Sequence, residues 1–206
     1  MMTSSKYLEE SARTAHTPHF INGDDVKAAY VTAQLMHAAM GMVTEAGELE
    51  EALQKKGAID RVNLCEELGD MLWYVALALR TLEKTLDDVA PLALEFAASF
   101  EREHAAVADL RWAISGLITS SATLMDQLKK HMIYDKPLDA EQFFRVVSQV
   151  TSFIMFASVE LNVEMGELCE RNIAKLRKRY PDKFNAEQAL NRDLDAERAA
   201  LEGGSR

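Results

Sequence analysis

Apolar side chains recur at alternating steps of three and four along two adjoining stretches of this 206-residue chain. The first set is Leu35, Ala39, Met42, Ala46, Leu49 and Leu53; the second is Leu64, Leu68, Met71, Val75, Leu79 and Leu82. Steps averaging 3.6 put each set on one face of an α-helix, and so continuous a face has to be covered by other helices. No segment alternates polar and apolar residues for the length of a strand. Gly (9) and Pro (4) are too scarce to interrupt such helices often. The first long helix is expected from Asp24 or Asp25 to Gly57, a residue suited to the position just past a helix end. Asp60 is the expected N-cap of a second helix running to about Glu83. Thr85, with Asp88 three residues on, predicts a capping box opening a third helix through the Phe96 to Phe100 region. The expected fold class is all-α.

The pattern then recurs. A shift of 75 carries Leu35 onto Leu110 and the rest of the first stripe onto Ile114, Leu117, Ser121, Leu124 and Leu128. GMVT at Gly41–Thr44 is echoed by GLIT at Gly116–Thr119, and the LQKK ending at Lys56 by the LKKH ending at His131. After a longer loop ending YDKP, a shift of 79 carries the second stripe onto Phe143, Val147, Val150, Ile154, Ser158 and Leu161. Shared GxxT and LxK positions in the same order point to an internal repeat, since periodicity alone would align any two amphipathic helices. The expected organisation is an N-terminal helix and loop at 1–23, one repeat at 24–103, a second at 104–185, and a charged tail at 186–206. The two repeats are expected to pack as helical bundles in an intrachain pseudo-dimer, and the tail to be a short peripheral helix fraying before Gly203 and Gly204.

Four acids border the stripes. Glu45 and Glu48 share one face of the first helix, and Glu67 and Asp70, with Tyr74, form a matching strip on the second. A short turn between antiparallel helices brings these strips face to face, where converging carboxylates repel unless cations lie between them. An all-oxygen set suits a hard ion, Mg²⁺ with Mn²⁺ as alternative, better than zinc. The neighbours Glu50, Glu51 and Glu66 are expected to be a solvated face. Gly47 and Gly69, each within a helix and beside an acid, are explained by a close helix approach or by room for a ligand.

The strings TEAGELEEALQKK and NLCEELGDMLWYVALAL carry ExxE followed by ExxD, and ERNIAKLRKRYPDKF follows near the end of the chain. In that order they resemble the MazG-like nucleoside triphosphate pyrophosphohydrolases, a family of all-α nucleotide pyrophosphatases. The resemblance implies metal-dependent hydrolysis of an NTP or dNTP to the monophosphate and pyrophosphate, with Glu45, Glu48, Glu67 and Asp70 as metal-holding and catalytic groups. A dUTPase or phosphoribosyl-ATP pyrophosphatase of the same superfamily, or a non-catalytic nucleotide-binding helical protein, are the alternatives. The second repeat departs from the signature: Ser120, Thr123, Val146 and Gln149 stand at the acid positions. Conversely, Ala93 and Phe96 stand where the second repeat has Asn172 and Lys175. A single composite site is therefore expected, with the second, degenerate copy supplying the basic substrate-binding groups.

The substrate-binding candidates are Lys56, Tyr74, Lys130, Lys136, Asn172, Lys175, Arg179 and His37, with Trp73 and Tyr134 as base-stacking candidates. Met36, Met40 and Met42 are expected to fill the core. Under this division of labour, Lys175→Ala weakens substrate use and leaves metal binding nearly intact.

The net charge of -10 argues against a duplex nucleic-acid partner, which requires a basic face. It permits a compact phosphate site. MMTSSKYLEE has neither the basic patch nor the apolar core of a signal peptide, and the longest apolar run, Met71 to Leu79, is too short to span a bilayer. Cys65 and Cys169 are isolated and read as buried thiols. These features lead to the expectation of a cytoplasmic protein with a small-molecule substrate and no membrane partner, and the family resemblance implies a homodimer of the tandem chain.

Overall fold

A computed structural model describes residues 2–13, 26–104, 109–134 and 136–202. All regular structure among them is helical, with no strand. The helices are α1 (Ser4–Ala12), α2 (Val26–Gln54), α3 (Arg61–Thr81), α4 (Leu86–His104), α5 (Leu110–Tyr134), α6 (Ala140–Glu160), α7 (Met165–Arg179), α8 (Ala186–Leu190) and α9 (Leu194–Leu201). The expected start of the first long helix at Asp24 or Asp25 lies outside the described residues, as does the end of the tail at Gly203 and Gly204.

Local chemistry accounts for the helix boundaries. Asp60 caps α3 by accepting from the amides of Val62 and Asn63, and Asp139 caps α6 by accepting from Gln142. Gly57 takes φ +119 in the turn after α2, a conformation that favours glycine. Thr85 and Asp88 form the reciprocal capping box at α4. α3 and α6 both end through a left-handed residue, Glu83 (φ 57) and Asn162 (φ 46), each with the same pattern of closing amide bonds.

α2 packs along α3, α5 packs along α6, and α2 and α5 pack against each other. The third helix of each set crosses over: α4 packs on α6, and α7 packs on α3. One continuous apolar core results, and every stripe residue from Leu35 to Leu53 and from Leu64 to Leu79 is within it. α6 is long and apolar enough by composition to cross a membrane, yet two thirds of its apolar window is buried in this bundle, as in a core helix of a packed domain. Both cysteines are buried and unbridged. Met36 is half-buried and Met42 fully buried, whereas Met40 is 50% exposed because it lies off the apolar face of α2.

The tail departs from expectation. It forms two helices, and α9 docks on α7 with Leu201 buried. Arg198 adds a two-pronged bond to Asp60 at the start of α3, with N···O distances of 2.8 and 3.0 Å. Charge-rich composition concealed a helix whose Leu201 and Glu197 face inward.

Two glycines set how closely the hairpin helices approach. A Cβ at Gly41 would lie 2.2 Å from the Tyr74 ring, and one at Gly116 would lie 2.2 Å from the Phe153 ring. The shifts of 75 and 79 relate these two pairs. Gly41→Ala and Gly116→Ala are expected to destabilise the protein by about 1–3 kcal/mol each in denaturant titrations, because a ring must move. Gly47→Ala, where nothing lies within 4 Å, is expected to be neutral or stabilising by up to ~1 kcal/mol. Equal effects at all three positions would contradict the packing described.

Candidate active site

A cleft of about 340 Å³ opens where α2, α3 and α7 meet. From α2 it receives His37, Glu45 and Glu48; from α3, Glu66, Glu67, Asp70, Trp73 and Tyr74; from α7 and the chain beyond it, Arg179, Tyr180, Phe184 and Arg192. The helical repeat explains this: Glu45 and Glu48, and Glu67 and Asp70, are each one turn apart and sit beside the buried stripe. Acids and aromatic rings both line the cleft. His37 makes edge contacts with Trp73 and Tyr74, at centroid distances of 5.9 and 5.7 Å.

Glu45, Glu67 and Asp70 each offer a carboxylate oxygen, and these oxygens lie within 4.8 Å of one another. Glu48 is exposed at the cleft mouth and outside that group. Burial, reinforced by repulsion from Asp70, Glu67 and Glu48, raises the Glu45 carboxyl from 4.5 to about 9. Burial and the Asp70 charge raise Glu67 to about 7. Such a set has too much negative charge for its own surroundings and the oxygen donors a hard divalent cation takes. The residues therefore fit a metal such as Mg²⁺, and a bound cation would displace the extra protons. Tyr74 is held protonated by burial and by the Glu45 charge, so its hydroxyl is a donor.

Asp70 is fixed from behind. The Asn172 amide donates to its Oδ1 at 2.6 Å, and the Lys175 ammonium bonds its Oδ2. Lys175 Nζ also reaches Glu66 Oε1 at 3.1 Å. Lys175 is completely buried, and the carboxylates beside it hold its proton more tightly although burial opposes this. Asn172 in turn accepts from the Tyr7 hydroxyl of α1 at 3.4 Å. Gly69 allows this approach: its Cβ would lie 3.2 Å from Asn172 Cβ.

These positions correct several expectations. Asn172 and Lys175 are buried behind Asp70 and do not line the cleft; their bonds are to the carboxylates of Asp70 and Glu66. Glu66, expected as a solvated acid, is mostly buried and lines the cleft, because Lys175 draws it inward. Lys130 pairs with Asp126 on the surface, and the Lys136 carbonyl contacts His131, whose Nε2 lies 3.2 Å from Thr32. Thr32 precedes Glu45 on α2 by roughly 20 Å of helix at 1.5 Å per residue, so this loop lies away from the acids, and neither lysine lines the cleft. Tyr134 is exposed in the same region. Lys56 is exposed beyond the end of α2 and does not line the cleft. His37, Trp73, Tyr74 and Arg179 do line it.

Arg192, Tyr180, Phe184 and Glu197 were not anticipated. The Tyr180 and Phe184 rings pack at a tilt, with centroids 5.4 Å apart, just after α7. Arg192 precedes α9, and no local pattern marked it, since its position depends on how the tail folds back.

The corresponding positions where α4 packs on α6 are filled differently. Phe96, matching Lys175, packs on Phe153 at 5.3 Å, and Trp112, matching His37, packs on the same ring at 5.0 Å. Ala93, matching Asn172, is buried and its carbonyl accepts from Ser152.

Comparison with known proteins adds the following. Residues 34–95 match the family model of the MazG nucleotide pyrophosphohydrolase domain. This segment contains all four acids of the cleft signature. A protein named uroporphyrinogen decarboxylase from Chloroherpeton thalassium (strain ATCC 35110 / GB-78) is 29% identical over 172 residues. That alignment covers 81% of this chain and 45% of the relative, so the chain spans less than half of that protein's length. No solved structure matches the chain significantly.

Two outcomes follow from the electrostatics. Without metal, the folded chain holds protons on Glu45 and Glu67 that the unfolded chain releases near 4.5. Stability should therefore fall as pH rises from that value through about 9. Melting temperature measured across this range in chelator should decline, Glu45→Gln should flatten the decline, and added Mg²⁺ should oppose it. Removing Lys175 leaves Asp70 and Glu66 without their buried cation. Lys175→Ala should cost about 3–5 kcal/mol in denaturant titrations and also weaken Mn²⁺ binding followed by calorimetry. Unchanged Mn²⁺ binding would restore the purely substrate-directed role expected from the sequence.

Proposed function

With the match of residues 34–95 to the MazG domain model as the premise, we propose that the protein is a Mg²⁺-dependent nucleoside triphosphate pyrophosphohydrolase. It would convert a (d)NTP and water to the (d)NMP and pyrophosphate. The observation that carries this reading is the convergence of Glu45, Glu67 and Asp70 in one cleft with two arginines and a ring cluster. That composition matches the three parts of the substrate: a cation for the phosphates, guanidinium donors for their charge, and flat apolar faces for a base.

Glu45, Glu67 and Asp70, with Glu48 at the mouth, would hold Mg²⁺ or Mn²⁺. When bound, the cation would neutralise phosphate charge and lower the pKa of water. Arg179 and Arg192 would bind phosphate oxygens from the opposite wall. Tyr74 would donate a hydrogen bond to the substrate, while His37 and Trp73 would flank the base. One of the carboxylates would accept the proton released as water adds to the α-phosphorus and the bond to pyrophosphate breaks.

The site belongs, in this proposal, to a tandem chain with repeats at 24–103 and 104–185. They would be arranged as a pseudo-dimer, with the second copy degenerate in acids. The paired Gly–aromatic interlocks, the matched left-handed helix ends and the exchanged third helices support it. A cytoplasmic location, a homodimer of the tandem chain and the absence of duplex nucleic-acid partners belong to the same reading.

A panel of NTPs and dNTPs assayed for pyrophosphate release, with and without Mg²⁺, tests the function directly. Release is expected only with a divalent cation, and Glu67→Gln should lower kcat on the order of 100-fold. Metal-independent release, or full activity in Glu67→Gln, would sink this assignment.

A further inference from the structure

The cleft's two arginines are not free-standing. Arg179, at the end of α7, donates from Nε and NH2 to the two oxygens of Glu197, at 2.9 and 2.6 Å. Arg192 donates from Nε and NH2 to Glu197 Oε2, at 3.2 and 2.6 Å. Glu197 is 2% exposed and lies on α9, outside the segment matched by the family model. The guanidinium groups hold its carboxyl down at about 2 although burial opposes this. One buried carboxylate therefore grips two arginines that both line the acidic cleft.

The alternative partners for these arginines are close. Arg192 NH2 is already 3.7 Å from Glu66 Oε1, the carboxylate that also holds Lys175. Two guanidinium groups packed together repel, and a cluster of acids stands a few ångströms away. Without an anion between them, one arginine would be driven toward those acids, bridging the cleft and neutralising carboxylates that the reaction needs. Glu197 supplies that anion and holds both guanidinium groups together, with Arg192 also at ion-pair distance from Glu66.

We propose that Glu197 is a positioning residue and that α9 is the element which presents Arg179 and Arg192 as a paired anion clamp for the polyphosphate of the substrate. The clamp takes an inorganic or nucleoside polyphosphate, and its guanidinium forks bond phosphate oxygens better than isolated ammonium groups would. In this role the tail completes a site whose metal-holding part lies entirely on α2 and α3. The proposal rests on the function given above for its substrate, but anion binding at the clamp is measurable without turnover.

The experiment compares wild type, Glu197→Gln, Glu197→Asp and Arg198→Ala. Glu197→Gln keeps the shape and removes the charge; Glu197→Asp keeps the charge. Arg198→Ala loosens α9 from Asp60 and touches neither cleft arginine. Tripolyphosphate binding is measured by calorimetry in the presence of Mg²⁺, alongside KM and kcat for whichever nucleotide the panel selects. Glu197→Gln is expected to weaken tripolyphosphate binding and raise KM about tenfold, with kcat changed less than about twofold. Glu197→Asp should recover part of the affinity. Arg198→Ala should lower the melting temperature while leaving KM and tripolyphosphate affinity at the wild-type value.

Wild-type tripolyphosphate affinity in Glu197→Gln, or the same loss in Arg198→Ala, would overturn the proposal by making α9 a general brace. If wild type hydrolyses no nucleotide yet binds tripolyphosphate in a Glu197-dependent way, the clamp stands and the pyrophosphohydrolase assignment falls. If hydrolysis is robust but Glu197→Gln is silent in KM and in binding, the reverse holds.

Discussion

A lysine ammonium with no solvent exposure, bonded to Asp70 and Glu66, ties α7 to α3 and so determines where the cleft lies. Burying a charge is tolerable only when its partners and hydrogen bonds are supplied, and here both acids come from one helix and the cation from another. Asn172 adds a second bond to Asp70, and Gly69 leaves the space that lets α7 come close enough to make it. Once α7 is seated in this way, its last turn brings Arg179 to the cleft wall, and the chain beyond turns back to add Tyr180, Phe184 and Arg192. The same contact holds Asp70 in place, while burial and the surrounding negative charge keep protons on Glu45 and Glu67. The cleft is thus rigid on one side and electrostatically unsatisfied on the other, which is a suitable state for taking up a cation.

The two halves show opposite solutions at matched positions. Around Asp70 the space is occupied by Asn172, Lys175 and the acids. At the matched positions Phe96 and Trp112 both pack on Phe153. Replacing an ammonium by a ring exchanges a charged network for dispersion and apolar burial, which needs no compensating partner. An apolar filling of this kind has no oxygen donors and little room for a polyphosphate. In the tandem organisation we propose, one copy has kept the polar chemistry and the other gives the packing that supports it, through the exchange of α4 and α7 between hairpins.

Much of this was legible before the structure. The stripes from Leu35 to Leu82 set the helices, Asp60 and Thr85 marked their starts, and Glu45, Glu67 and Asp70 could be matched across a turn because helical spacing alone puts them on facing edges. His37, Tyr74 and Arg179 were reached by the same periodicity. Errors arose where one dimension was missing. Lys130 and Lys136 share a charge and a region of sequence with the expected site, but α5 runs to the far end of α2 before that loop begins. Asn172 and Lys175 lie on the correct face of α7, yet face and depth are different quantities, and periodicity reports only the first. Glu66 looked like its solvated neighbours because nothing local reveals that a buried lysine stands opposite.

By itself the amino-acid order determined the helices, their apolar faces, the acid strips and the family signature. All of these are properties of neighbours within a few turns, governed by side-chain direction and capping. Only the tertiary structure decided which charges meet: Lys175 with Asp70 and Glu66, Arg198 with Asp60, and Glu197 with Arg179 and Arg192. Charges at long sequence separation carry no periodic mark of their partners. Their pairing depends on how closely whole helices pack, and that is set by steric details such as the missing side chain at Gly69.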